Sequence, residues 1–170
     1  MVLPVVLYGN AILRTKCLPI ENIDEDIKKL VEEMIKTMDA KDGIGLAAPQ
    51  VGRLLRLFVL RNYEENKQGT FDLSEPKVYI NPKILQVTKE TCLDREGCLS
   101  IPGIKGDVER PIGLVLEAMD LNGLLFTEEL MGYNARVRMH ENDHLNGVLF
   151  VDRMEKGARK KIEPLLKKIR

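Results

Sequence analysis

What most constrains this chain is a run of short strand-like segments lying between two helical patterns. LLRLFVL (54–60), KVYINP (77–82), ILQVTK (84–89) and GLVLEAMD (113–120) alternate in the manner of half-buried strands. Such segments need a covering layer. Residues 24–40, DEDIKKLVEEMIKTMDA, predict a helix, because Ile27, Leu30, Val31, Met34 and Met38 recur at helical spacing. Its acidic start suits the positive end of a helix dipole, and Gly43 and Gly45 break it. Residues 133–146 predict a second helix, ended by Gly147, and a third helix, broken or started near Pro164, closes the chain. Asp120-Leu121-Asn122-Gly123 predicts a hairpin turn, since Asn-Gly tolerates the left-handed backbone of tight hairpins. The polar stretch Asn62–Pro76 reads as an exposed loop. Helix, strands, then helix predicts an α+β fold. Antiparallel sheets would pack around a central helix over 133–146, followed by a C-terminal helix.

The 170 residues suit one domain spanning 1–170, with no repeat or linker to divide them. Lys plus Arg equals Asp plus Glu at 26 each, so overall charge points to no polyanionic partner such as DNA. No run of about 18 apolar residues exists to span a membrane. The opening MVLPVVLYGN is short, lacks a basic leader and contains Pro4, which argues against a signal peptide. Cys17, Cys92 and Cys98 are too few, and odd in number, for a disulfide framework. A reducing cytosol is the simpler setting, where a cysteine serves as ligand, nucleophile or core.

The strongest local chemistry is His140-Glu141-Asn142-Asp143-His144, which holds both histidines of the chain. On a helix, positions i and i+4 share a face, so two imidazoles can bind one metal. Glu141 then lies within reach of a water at that metal. A catalytic site of this type takes three protein ligands and an open position. Spacing leaves the third ligand open between Glu163, as in zinc peptidases, and Cys98 in Glu96-Gly97-Cys98-Leu99-Ser100. A closed structural zinc site with Cys92, Cys98, His140 and His144 is a third reading. The wide gap between the cysteines counts against it. A further segment, Gly43-Ile44-Gly45-Leu46-Ala47-Ala48-Pro49-Gln50, is small enough to run close to another strand or a ligand, and it ends in one polar amide.

Together GIGLAAPQ, EGCLS and HENDH resemble, in order, the three motifs of the peptide deformylase family. Gly9–Arg14, Ile80-Asn81-Pro82, Arg110-Pro111 and Leu145–Phe150 add further matches, so the resemblance covers nearly the whole chain. It implies that Cys98, His140 and His144 bind the metal and that Glu141 is general base and then acid. It implies that Gln50 and the Leu99 N–H hold the formyl oxygen, that Gly45 contacts the substrate backbone, and that Ile44 helps line the methionine pocket. The implied reaction hydrolyses the formyl group from the N-terminal formyl-methionine of new polypeptides, with release of formate, in a bacterial cytosol or organelle matrix. One departure concerns Lys105, which stands where many relatives carry a substrate-touching arginine; it keeps the charge but loses the planar fork.

A thiolate with two imidazoles suits Zn2+ on softness and geometry. The resemblance instead implies native Fe2+, with Zn2+, Ni2+ or Co2+ able to replace it. The last segment, 156–170, carries seven basic residues, among them Lys160, Lys161, Lys167 and Lys168, against the single acid Glu163. Such a helix is either a solvated face or a weak phosphate-binding surface for the ribosome, where formylated N-termini first emerge.

Overall fold

The computed structural model describes residues 1–170. The first helix, α1 (Glu25–Ala40), starts where the sequence predicts, because the Asp24 side chain accepts a hydrogen bond from the Ile27 N–H and caps it. Its apolar stripe of Ile27, Leu30, Val31, Met34 and Met38 is buried. Each such side chain stabilises the fold by roughly 1.5–3 kcal/mol.

That stripe packs on a five-stranded antiparallel sheet built from β1 (Gly45–Ala47), β2 (Leu57–Leu60), β5 (Lys77–Val87), β8 (Gly113–Met119) and β9 (Leu125–Met131), in the order β1-β2-β5-β8-β9. The short pair β3 (Tyr63–Glu65) and β4 (Phe71–Leu73) lies between β2 and β5 in the chain. In β2, Leu57 and Val59 face α1, whereas Phe58 and Leu60 belong to the core on the other side of the sheet. Burial on both faces explains why LFVL is an unbroken apolar run.

The opposite face is covered by α2 (Tyr133–Leu145), through Ala135, Val137, Met139 and Leu145. Ten of its thirteen residues are buried, so it is central rather than amphipathic, as a helix enclosed on several sides must be. The backbone turns out of it at Gly147 (φ 72°), where any Cβ would meet the Arg14 backbone at 2.7 Å. A second sheet, the hairpin of β6 (Thr91–Cys98) and β7 (Ile101–Pro111), closes the far side of α2. A third core forms where β7 meets α3 (Lys156–Leu166), with Ile104, Val108, Phe150 and Leu166. The α+β arrangement with a C-terminal helix is as expected. No helix is long and apolar enough to cross a membrane.

Four expectations are corrected. The segments 77–82 and 84–89 form one strand, β5, bent at Asn81-Pro82. Asn81 has φ 49° and ties its amide to both backbone groups of Ile20, and Pro82 has no N–H for the ladder, so the register shifts there. Residues 62–76 are mostly exposed, Asn62 and Ser74 being buried, but they are not a plain loop, since β3 and β4 pair within them. The predicted strand 54–60 begins only at Leu57. Pro164 neither starts nor splits α3: the helix begins at Lys156 under a Glu155 cap and holds Pro164 in its last turn.

Candidate metal centre

Two elements deliver the three candidate ligands. Cys98 ends β6 beside a register shift, and His140 and His144 stand one turn apart on α2. Their donor atoms lie within 4.8 Å of one another, a group that could hold a metal ion. The Cys98 Sγ is 3.4 Å from His144 Nε2. Cys92 and Glu163 are absent from this group. The Cys92 side chain is exposed, and Glu163 pairs with Arg159 on α3. Geometry therefore favours Cys98 as the third donor over both rival ligand sets.

The donor set fits a divalent cation. His140 Nδ1 is 2.8 Å from Glu96 Oε1, which orients the ring and leaves Nε2 for the centre. Burial holds His144 well below the ordinary imidazole range, in the neutral form that offers a lone pair. Burial disfavours a charged His140 too, but Cys98 and Glu96 outweigh it and push its pKa up.

Behind the ligands lies a buried ionic network that sequence reasoning missed. Arg110 grips Glu96 with two hydrogen bonds, at 2.6 and 2.9 Å, and reaches Asp143 at 2.9 Å. Arg136 donates to Glu96 at 2.7 Å, and Arg153 donates twice to Asp143. Burial alone would raise the Glu96 carboxyl; the bonds from His140 and Arg110 overcome it and hold the group well below the usual carboxylate range. One signal was readable: Glu96 sits two residues before Cys98, on the same strand.

Glu141 is buried, with Oε2 lacking any hydrogen-bond partner. Burial pushes its carboxyl up to about 7. Gly45 lies so close that any Cβ there would collide with this carboxylate, which explains the glycine in the GIG segment. Gln50 sits in the helical turn Ala48–Val51 with its amide fixed at both ends. Its Oε1 accepts from the Ala47 N–H at 2.9 Å, while Nε2 donates to Ser100 Oγ and to Cys98 Sγ. Leu99 occupies the turn between β6 and β7, and its N–H donates to none of the surrounding backbone carbonyls.

These groups line one cleft of roughly 560 Å³, with Ile44, Gly45, Gln50, Cys98, Leu99 and Glu141 in its wall. Lys105 stands on its rim, its stem along Gly97, without an acidic partner. A carboxylate and two polar donors lining one cleft, beside three atoms that could hold a metal ion, can support hydrolysis of a small carbonyl compound.

A model of the polypeptide deformylase family matches residues 2–160. A peptide deformylase of Chlorobium phaeovibrioides is 44% identical over 163 residues, covering 96% of this chain and 84% of its own length. One of Borreliella burgdorferi is 46% identical over 157 residues, covering 92% of this chain and 90% of its own. Among solved structures, a peptide deformylase of Ehrlichia chaffeensis superposes with TM-score 0.89 at 35% identity, covering 99% of this chain and 96% of that one. A peptide deformylase of Acinetobacter baumannii with Met-Ala-Ser bound gives TM-score 0.83 at 35% identity, covering 91% and 99%.

Proposed function

This chain belongs to the polypeptide deformylase family, and we propose that Cys98, His140 and His144 hold its metal while Glu141 carries the protons. As a metal-dependent deformylase it removes the formyl group from the N-terminal formyl-methionine of newly made polypeptides. The whole chain, 1–170, serves as one catalytic domain.

The reaction needs a stronger nucleophile than neutral water and a stabilised oxyanion. A divalent metal on these three ligands supplies Lewis acidity, which can bring the pKa of water from 15.7 to about 7. Glu141 accepts the proton of the attacking water and returns it to the departing amine, a service worth roughly 10²–10⁴-fold. Its unpartnered Oε2 beside the ligands supports this role. Gln50 Nε2 and the Leu99 N–H receive the formyl oxygen as charge develops, each such donor being worth about 10²–10³ in rate. The Gln50 amide cannot rotate away, because Ala47 holds its oxygen. Gly45 contacts the substrate backbone, Ile44 lines the methionine pocket, and Lys105 meets the peptide beyond it. Glu96 keeps His140 in one orientation and takes no part in proton transfer.

The convergence of Cys98, His140 and His144 beside Glu141 carries this reading. The native metal is ferrous iron, with zinc, nickel or cobalt able to occupy the same ligands, and the setting is a bacterial cytosol or organelle matrix. Enzyme purified without oxygen should release formate from formyl-Met-Ala-Ser, contain one iron per chain and lose activity in air. Equal activity in a zinc-only sample would remove the iron assignment, and no formate release from any metal-loaded sample would remove the assignment of the site.

A second observation favours the ribosome as a docking partner. Lys156, Lys160, Lys161, Lys167 and Lys168 are exposed, and none of them pairs with an acid, while Leu166 anchors the helix in the core. This basic face binds ribosomal phosphate weakly and adds nothing to the chemistry.

A further inference from the structure

The hairpin β3–β4 has two unlike faces. Tyr63 pairs with Leu73 and Glu65 with Phe71, so these four side chains share one side, and Glu64 and Asp72 share the other. Tyr63, Phe71 and Leu73 are all exposed, at 41, 63 and 52%, on a strand pair with no layer over it. The apolar side does not end at the hairpin. The ring of Tyr63 meets that of Tyr133, at the start of α2, with centroids 5.4 Å apart, and both rings line the catalytic cleft. An exposed aromatic pair continuous with a binding cleft marks a surface that a ligand covers.

The hairpin is also held still. Asn134 donates to the Tyr63 carbonyl and accepts from the Tyr63 N–H, both at 2.9 Å, which fixes β3 to α2. Ser74 closes its base through the Asn62 N–H, and Asn66 organises its tip by accepting from the Gln68 and Thr70 N–H groups. A surface already fixed before binding loses little entropy on contact.

We propose that Tyr133, Tyr63, Leu73 and Phe71 form an apolar shelf for the substrate residues that follow methionine. On this basis the enzyme prefers large apolar side chains there. This rests on the assignment of the cleft as the deformylation site: the formyl end is fixed at the metal centre, so the rest of the peptide must leave across the rim. Tyr63 and Tyr133 line the cleft, and Phe71 and Leu73 carry the same exposed apolar face outward beyond it, away from the Lys105 and Arg95 side of the cleft.

The test compares formyl-Met-Ala with longer peptides carrying Phe, Leu or Ser at the third and fourth positions. In the metal-loaded enzyme, Phe and Leu should raise kcat/KM over Ser by about three- to tenfold, through KM rather than kcat. Tyr63→Ser and the double variant Phe71→Ser/Leu73→Ser should each bring that ratio close to one. Tyr63→Phe should keep it, which a merely structural role for the hairpin would not require. Taking the ratio within each variant removes any general loss of activity or stability. A ratio near one in the wild type, or one unchanged by the shelf variants, would overturn the shelf while formyl-Met-Ala turnover leaves the site assignment standing. Failure of every metal-loaded preparation on formyl-Met-Ala would overturn both.

Discussion

At the scale of single residues, Glu141 and Cys98 separate this site from its rivals. Glu141 lies outside the donor group and its Oε2 has no hydrogen-bond partner, so Glu141→Gln removes the proposed proton carrier and leaves the donors in place. Deformylation should fall by roughly 10²–10⁴-fold with metal content unchanged; full activity in a metal-loaded Glu141→Gln sample would end the proposed role. Cys98→Ala should strip the metal, whereas Cys92→Ser should retain it, because the Cys92 side chain is exposed and outside the donor group. Elemental analysis of the two variants decides between them, and metal lost from Cys92→Ser would restore the closed-site reading. His140, His144 and Glu141 were legible because a helix brings i and i+4 together whatever surrounds it. Cys98 was not legible from spacing, since a strand end meets a helix only through the fold.

Among elements, β6, β7 and α2 are joined by charge as much as by apolar contact. Arg110 on β7 holds Glu96 on β6 and Asp143 on α2, with its side chain only 3% exposed. Removing one partner of a buried ionic group leaves the others uncompensated, at a cost of roughly 3–5 kcal/mol. Arg110→Met should lose about that much stability in urea melts, and metal affinity should fall about 10–100-fold as His140 loses its orientation. A melt like that of the wild type would show that Arg136 and Arg153 suffice for the two acids. On α3 the basic face is separable from the core, because Leu166 points inward and the lysines outward. Replacing Lys160, Lys161, Lys167 and Lys168 with Gln should leave tripeptide turnover intact and reduce co-sedimentation with ribosomes at low salt. Unchanged co-sedimentation would leave this helix as a solvated face. The hairpins β3–β4 and β6–β7 were poorly legible: β3–β4 covers little core, and in β6–β7 several buried positions are Gly106, Glu96 and Arg110 rather than apolar residues.

Over the whole molecule, stability carries a pH dependence to which a buried thiol outside the donor group, Cys17, contributes. Burial raises Cys17 from near 9 to about 11, partly offset by Arg56. The folded state therefore holds this proton more tightly than the unfolded chain. Its contribution is complete below the unfolded value and declines as pH climbs from about 9 towards 11. Denaturation at pH 7.5 and 10.5 should show the advantage of the wild type over Cys17→Ala shrinking at the higher pH. An equal gap at both would show that Cys17 does not titrate in this range. What the sequence determined alone was local: the two helical patterns, strand β8 with its turn, and the chemistry of HENDH, each set by periodicity within a dozen residues. The tertiary structure decided what joins distant segments. It brought Cys98 to the histidines, Gly45 against Glu141, and Glu96 and Asp143 under one arginine. It also turned a polar stretch into an aromatic rim of the cleft. Those pairings depend on strand register and on which face of the sheet each helix covers, which periodicity within a segment does not encode.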